Sequence, residues 1–192
     1  RTTWSGRRDH VLLLLAVQTG LRLSEMTGLR AADVRLGTGA HVHVLGKGRK
    51  ERCTPLAKQT QAVLRSWMSS DLGPEPAILF PSARGSRLSA DGVQYLVAKH
   101  VATAARACPS LTRKRVTPHV LRHTTAMELL QAGVDRSVIA MWLGHESLET
   151  TQIYLDADLT LKERVLDKVA PPGVQARRYR PEDKLMAFLS AL

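Results

Sequence analysis

Apolar positions along the chain change period several times, and each change predicts a different element. From Ser5 onward, Val11, Leu12, Leu15 and Ala16 recur at helical spacing. Ser5 is the expected cap and Thr19-Gly20 the expected stop, because glycine tolerates the left-handed turn that ends a helix. A second, short helix carries Arg22 and Glu25 at i, i+3 on one face. Between Asp33 and Pro55 the period falls to two, in Val34-Arg-Leu36, His41-Val-His-Val-Leu45 and Glu51-Arg-Cys-Thr-Pro55. Gly-Thr-Gly at 37–39 and Gly-Lys-Gly at 46–48 separate these runs. The pattern predicts a three-stranded antiparallel meander, with the turn holding Lys47 projecting from the sheet edge.

Helical spacing then returns. Leu56, Val63, Leu64 and Trp67 predict a helix to about Met68, broken by Gly-Pro-Glu-Pro at 73–76. A strand-like Ala77–Phe80 follows, then a helix capped by Ser89 and running to Cys108, and a loop from Ser110 to Val116. Thr117-Pro118 opens a helix to Gln131 that stops at Gly133, proline being favoured at the first helical position. Asp135 caps a helix ending at Gly144, and Ser147 caps another with Tyr154 near its end. A last helix over Leu159–Val169 meets Pro171-Pro172-Gly173. The fold class expected is mainly α with a small three-stranded antiparallel β-sheet (α+β). One domain would occupy residues 1–170. Residues 171–192 would add a basic linker and a short amphipathic helix, which is marginal alone in water and must dock, in cis or on a neighbour.

Composition narrows the partners. At 192 residues the chain suits one domain with a proper core. Its net charge of +11 and pI near 10.4 rest mainly on arginine, whose fork matches phosphate oxygens, so a nucleic acid is the expected partner. The longest apolar run, Val11 to Val17, is far below membrane-spanning length, and no signal peptide is visible. Cys53 and Cys108 form no metal-ligand spacing; both are expected to be reduced, buried residues of a cytoplasmic, nucleoid-associated protein. His41 and His43 share a strand face without a third ligand, which reads as a solvated face. The chain opens on Arg1 without a Met, suggesting a fragment of something longer.

The chemistry gathers in two places. His119, Arg122, His145 and Tyr154 fall within 36 residues, each near a predicted helix end, while Arg22 and Lys47 lie far upstream. Two arginines, two histidines, a lysine and a tyrosine, without an acidic metal-binding cluster, point to phosphoryl transfer with neither metal nor cofactor. Negative charge building on the non-bridging oxygens would be met by the fixed forks of Arg22 and Arg122. Tyr154 is the candidate nucleophile; its free pKa of about 10 calls for a nearby proton acceptor or a positive field. Lys47 on its turn could protonate the leaving alkoxide, with Lys50 as the competing lysine. Arg113, Lys114 and Arg115 form a basic loop suited to the phosphate backbone. His123 adjoins the central pair but is expected to point elsewhere on the helix.

These motifs resemble the catalytic domain of the tyrosine recombinases, the phage integrase family. Thr19-Gly-Leu-Arg22-Leu-Ser-Glu25 is similar to the first arginine motif, Gly46-Lys47-Gly-Arg-Lys-Glu-Arg52 to the hairpin lysine motif, and His119-Val-Leu-Arg122 to the central pair. Leu-Gly-His145 followed nine residues later by Tyr154 is similar to the final motif. The resemblance covers Arg1 to about Val169. It implies a 3′-phosphotyrosyl intermediate, strand exchange in a homo-tetramer on DNA formed from monomers in solution, and no need for ATP or metal. It further implies backbone contacts by Arg49 and Lys50, an orienting role for Glu25, and an N-terminal DNA-clamping domain that this chain lacks. A type IB topoisomerase would use similar chemistry as a monomer, and a catalytically silent relative would act through charge alone. His119 and the helical tail favour the recombinase.

Overall fold

The computed structural model describes residues 3–46, 51–72 and 78–144. Residues 47–50, which hold most of the turn expected at Gly46-Lys47-Gly48, the helices expected after Ser147 and over Leu159–Val169, and the tail lie outside the described residues. Helix α1 (Trp4–Thr19) starts earlier than expected: Thr3, not Ser5, caps it, its hydroxyl accepting from the Gly6 N–H at 3.1 Å. Gly20 ends the helix as predicted, at φ 63°. Arg22 stands just outside α2 (Leu23–Gly28) as its cap, and Glu25 reaches back from the first turn to the Arg22 N–H at 2.7 Å.

The meander forms as the alternation predicts. β1 (Val34–Arg35), β2 (His41–Leu45) and β3 (Glu51–Pro55) pair antiparallel in the order β1-β2-β3. Val42 and Val44 share the buried face with Arg52 and Thr54, since the register sets Val42 opposite Thr54 and Val44 opposite Arg52. His43 and Cys53 take the half-exposed face, where His43 Nε2 lies 3.2 Å from Glu51.

α3 (Lys58–Ser70) starts just past Leu56, which packs in the core ahead of the helix. Among the described residues of the strand-like stretch, Ile78 pairs, in a single antiparallel bridge to Arg30. α4 (Ala90–Ala104) is capped by Ser89 but stops short of Cys108, and a 3-10 helix over Pro109–Arg113 replaces most of the expected loop. That corrects the expectation that both cysteines are buried: Cys108 is exposed and Cys53 half-exposed. α5 (Pro118–Gln131) and α6 (Arg136–Leu143) keep their expected caps, Thr117 and Asp135, and α6 ends on Gly144 at φ 69°.

Two apolar clusters result. The larger joins α1, α2, the sheet, α3 and α4 around Leu12, Leu15, Val42, Leu64, Trp67 and Leu96. Buried Asp9 ties α1 to α4, bonding His100 Nε2 at 2.9 Å and Arg8 at 2.6 Å. The smaller cluster joins α5 and α6 around Ala126, Leu129, Ile139 and Trp142. No helix among the described residues is long and apolar enough to cross a membrane.

Candidate active site

The site is built where two helix C-termini meet. The end of α1 and the end of α6 both turn on left-handed glycines, Gly20 and Gly144. A Cβ on Gly20 would collide with Leu143 Cδ2 and would be strained at this positive φ, so glycine suits this approach. Terminal carbonyls of both helices, which carry the negative end of the helix dipole, face the two motif arginines. Arg122, on α5, is 7% exposed and donates to Gly20 O at 2.6 Å and Leu143 O at 2.7 Å. Arg22 donates to Gly144 O at 2.7 Å while its side chain stays one-third exposed. Residues about a hundred positions apart in sequence thus place two guanidiniums at one seam.

Glu25 organises the cations. Its carboxylate accepts from the Arg22 backbone at 2.7 Å, from Arg22 Nη1 at 3.1 Å, and from both Nη atoms of Arg52 at 2.8 and 2.7 Å. Burial alone would raise this carboxyl, but the Arg52 fork, followed by Arg22, holds it down at about 2. Burial pushes the Arg122 guanidinium down, the Arg22 and Arg52 charges add to that, and Glu25 offsets part, leaving about 9. At neutral pH Arg122 is still a cation.

His119 sits on the first turn of α5, exposed, and the basic trio Arg113, Lys114 and Arg115 is exposed on the chain leading into that turn. His123 does not point elsewhere. Four residues along a helix is one turn, so its ring meets His119 edge-on, centroids 4.1 Å apart and Nε2 to Nε2 at 2.6 Å. One ring must donate and the other accept, which ties the His119 tautomer to that of His123. Burial, then His119 and Arg122, lower the His123 pKa. Lys47, Arg49, Lys50, His145 and Tyr154 lie outside the described residues. Among the described residues no group of His, Cys, Asp or Glu could hold a metal ion.

The model of the phage integrase family matches residues 3–160, most of the chain. The chain belongs to the phage integrase family. Within it, y4rC, a candidate integrase/recombinase of Sinorhizobium fredii, is 63% identical over 192 residues, covering all of this chain and 58% of that protein. Tyrosine recombinase XerC of Pelobacter propionicus is 37% identical over 179 residues, covering 93% of this chain and 56% of its own length. The XerH site-specific recombinase, solved in a post-cleavage complex with its palindromic difH substrate, superposes with TM-score 0.64 at 28% identity over 87% of this chain and 46% of that one. An integrase from mycobacterium phage Brujita shares the fold, with TM-score 0.70 at 22% identity over 98% of this chain and 58% of that one. The chain therefore spans little more than half the length of the curated relatives it matches.

Two site residues escaped the sequence reading of this family member. Arg52 was legible only as part of the hairpin motif, although strand alternation puts it on the Val42–Val44 face, where a charge needs a buried partner. His123 was legible from its i+4 spacing to His119.

Proposed function

We propose that this chain is the catalytic domain of a site-specific DNA recombinase or integrase that cleaves and rejoins strands through a 3′-phosphotyrosyl intermediate. The observation that carries the reading is the convergence of Arg22 and Arg122 on the ends of α1 and α6. Their cations lie in a partly dehydrated seam, where charge developing on a phosphodiester is met more strongly than in water. Arg22 is the more accessible of the two, with only two of its five donors committed to described side chains or carbonyls. Tyr154 attacks phosphorus, the 5′ oxygen leaves, and the phosphate stays on the tyrosine until a 5′ hydroxyl returns. Lys47 gives the leaving oxygen its proton, while His119 and His145 hold the phosphate oxygens and take the tyrosine proton.

Neither metal nor cofactor enters this scheme. The exposed Arg113, Lys114 and Arg115, with Arg49 and Lys50, neutralise backbone phosphates of double-stranded DNA. Exchange takes place in a homo-tetramer assembled on DNA from monomers in solution, in the cytoplasm and associated with the nucleoid; residues 1–170 form the catalytic unit, and the segment 171–192 docks in cis or on a neighbouring protomer.

The test is a nicked suicide substrate incubated with full-length protein in EDTA, followed by a denaturing gel. A covalent adduct that survives EDTA and disappears in Tyr154→Phe is the expected result. Absence of adduct from full-length protein on its own element's DNA would leave a DNA-binding protein and sink the enzymatic reading. Relaxation of supercoils by monomers, with no recombinant product, would point to a type IB topoisomerase.

A further inference from the structure

We propose that Arg52 is a positioning residue of this site, acting through Glu25 to hold Arg22 and through Gly144 to hold the end of α6. The inference rests on the recombinase reading above and extends it to a residue beyond Arg22, Lys47, His119, Arg122, His145 and Tyr154.

Four contacts close a ring. Arg52 grips both Glu25 oxygens, at 2.8 and 2.7 Å; Glu25 binds the Arg22 backbone and side chain at 2.7 and 3.1 Å. Arg22 donates to Gly144 O at 2.7 Å. Gly144 in turn lies on the Arg52 guanidinium, so closely that a Cβ there would stand 2.9 Å from Arg52 Cδ and Nη1. The ring joins α2, β3 and the end of α6. In sequence its members border the remaining motifs: β3 opens at Glu51, four residues after Lys47, and Gly144 precedes His145.

Three features separate this from an ordinary ion pair. All four acceptor positions of the Glu25 carboxylate are filled by Arg22 and Arg52, leaving none for a substrate. Arg52 itself is 5% exposed, which removes it from direct contact with DNA. Its Nε is buried with no acceptor among the described residues. For stability alone, an apolar residue opposite Val44 would serve as well or better. What the guanidinium adds is a planar fork that fixes the angle of Glu25, and hence of Arg22, while leaving a flat face for a residue without a side chain.

The experiment compares wild type, Arg52→Met, Arg52→Lys, Glu25→Gln and the double variant Glu25→Gln/Arg52→Met, all as full-length protein. Single-turnover cleavage of the nicked suicide DNA is measured at saturating protein across pH, with DNA affinity and thermal unfolding measured separately. In the folded variants the cleavage rate should fall about 100-fold, with DNA affinity and its salt dependence unchanged. Arg52→Lys, which keeps the charge but loses the fork, should recover little of the rate. The double variant should be no slower than the slower single variant, because both changes cut the same link. Arg52→Met should also show a new loss of rate on the acid side as Glu25 takes up a proton, and Glu25→Gln should abolish that acid limb. Wild-type cleavage rates in Arg52→Met, or losses that multiply in the double variant, would overturn the role. So would a weakened affinity with a shallower salt dependence, the mark of a phosphate contact. Failure of wild type itself to form adduct would instead sink the recombinase reading on which the role rests.

Discussion

Trp67 and Trp142 are both almost fully buried, yet they report on cores of different kinds. Trp67 sits in the larger cluster and donates to Leu79 O at 2.8 Å, within a body that gathers four helices and the sheet. Trp142 sits in the smaller cluster of α5 and α6, and its indole N–H has no acceptor among the described residues. The larger core supplies its own apolar closure. The smaller one is attached to it partly by Leu121, but also by polar bonds across the seam: Arg122 to Gly20 O, Arg22 to Gly144 O, and Thr125 Oγ1 to Val17 O at 2.7 Å. The bonds that set the two bodies against each other are largely those of the site. A change in the angle between the bodies is therefore a change in arginine geometry.

The comparison can be broken most forcefully from the larger side. Leu15→Ala, at a position with no exposed surface, should cost about 4 kcal/mol. In chains retaining only Trp67 or only Trp142, both signals should be lost at the same denaturant concentration. Gly20→Ala strikes the seam instead, adding left-handed strain and a clash with Leu143 worth together about 3 kcal/mol. Here the Trp142 signal should unfold first, and DNA cleavage should fall further than in a core variant of equal stability. Coincident transitions would show that the two bodies do not behave separately.

Acid provides a subtler probe of the same seam. The Glu25 carboxyl is depressed in the folded state, so its contribution is complete above about pH 4.5 and is lost as the pH falls through about 2. Denaturant titrations should show about 2 kcal/mol of stability lost over that window, after allowance for screening, and Glu25→Gln should remove this part of the dependence. The smallest effect belongs to His123→Ala, expected within about 0.5 kcal/mol at neutral pH. The depressed His123 imidazole favours the folded state least when protonated, so stability is lost as pH falls through its folded value. The variant should flatten that slope in melting temperature against pH.

Much of this was legible in the sequence because it rests on local rules. Gly20, Ser89, Thr117-Pro118, Asp135 and Gly144 each end or begin a helix by backbone chemistry that a few neighbouring residues decide, and the meander followed from alternation and its glycine turns. Local rules also misplaced the cap of α1, where Thr3 outcompetes Ser5, and overran α4, where the chain turns into a 3-10 helix at Pro109. The two arginines could be named, but not the carbonyls that hold them. Gly20 O, Leu143 O and Gly144 O are backbone atoms that every residue possesses, and nothing in composition distinguishes them. Arg52 was hidden for a related reason: its partner lies 27 residues away on another element.

The seam also sets a schedule. Its closing bonds span 122 residues from Arg22 to Gly144 and 102 from Arg122 to Gly20. A ribosome working at about 5–20 residues per second needs roughly ten seconds to pass from one end of that interval to the other. During that time the emerging chain can assemble helices and sheet, but its cations stay apart. The seam is thus left open in every unfinished copy, because α6 must be made before the carbonyls of Leu143 and Gly144 can receive Arg122 and Arg22.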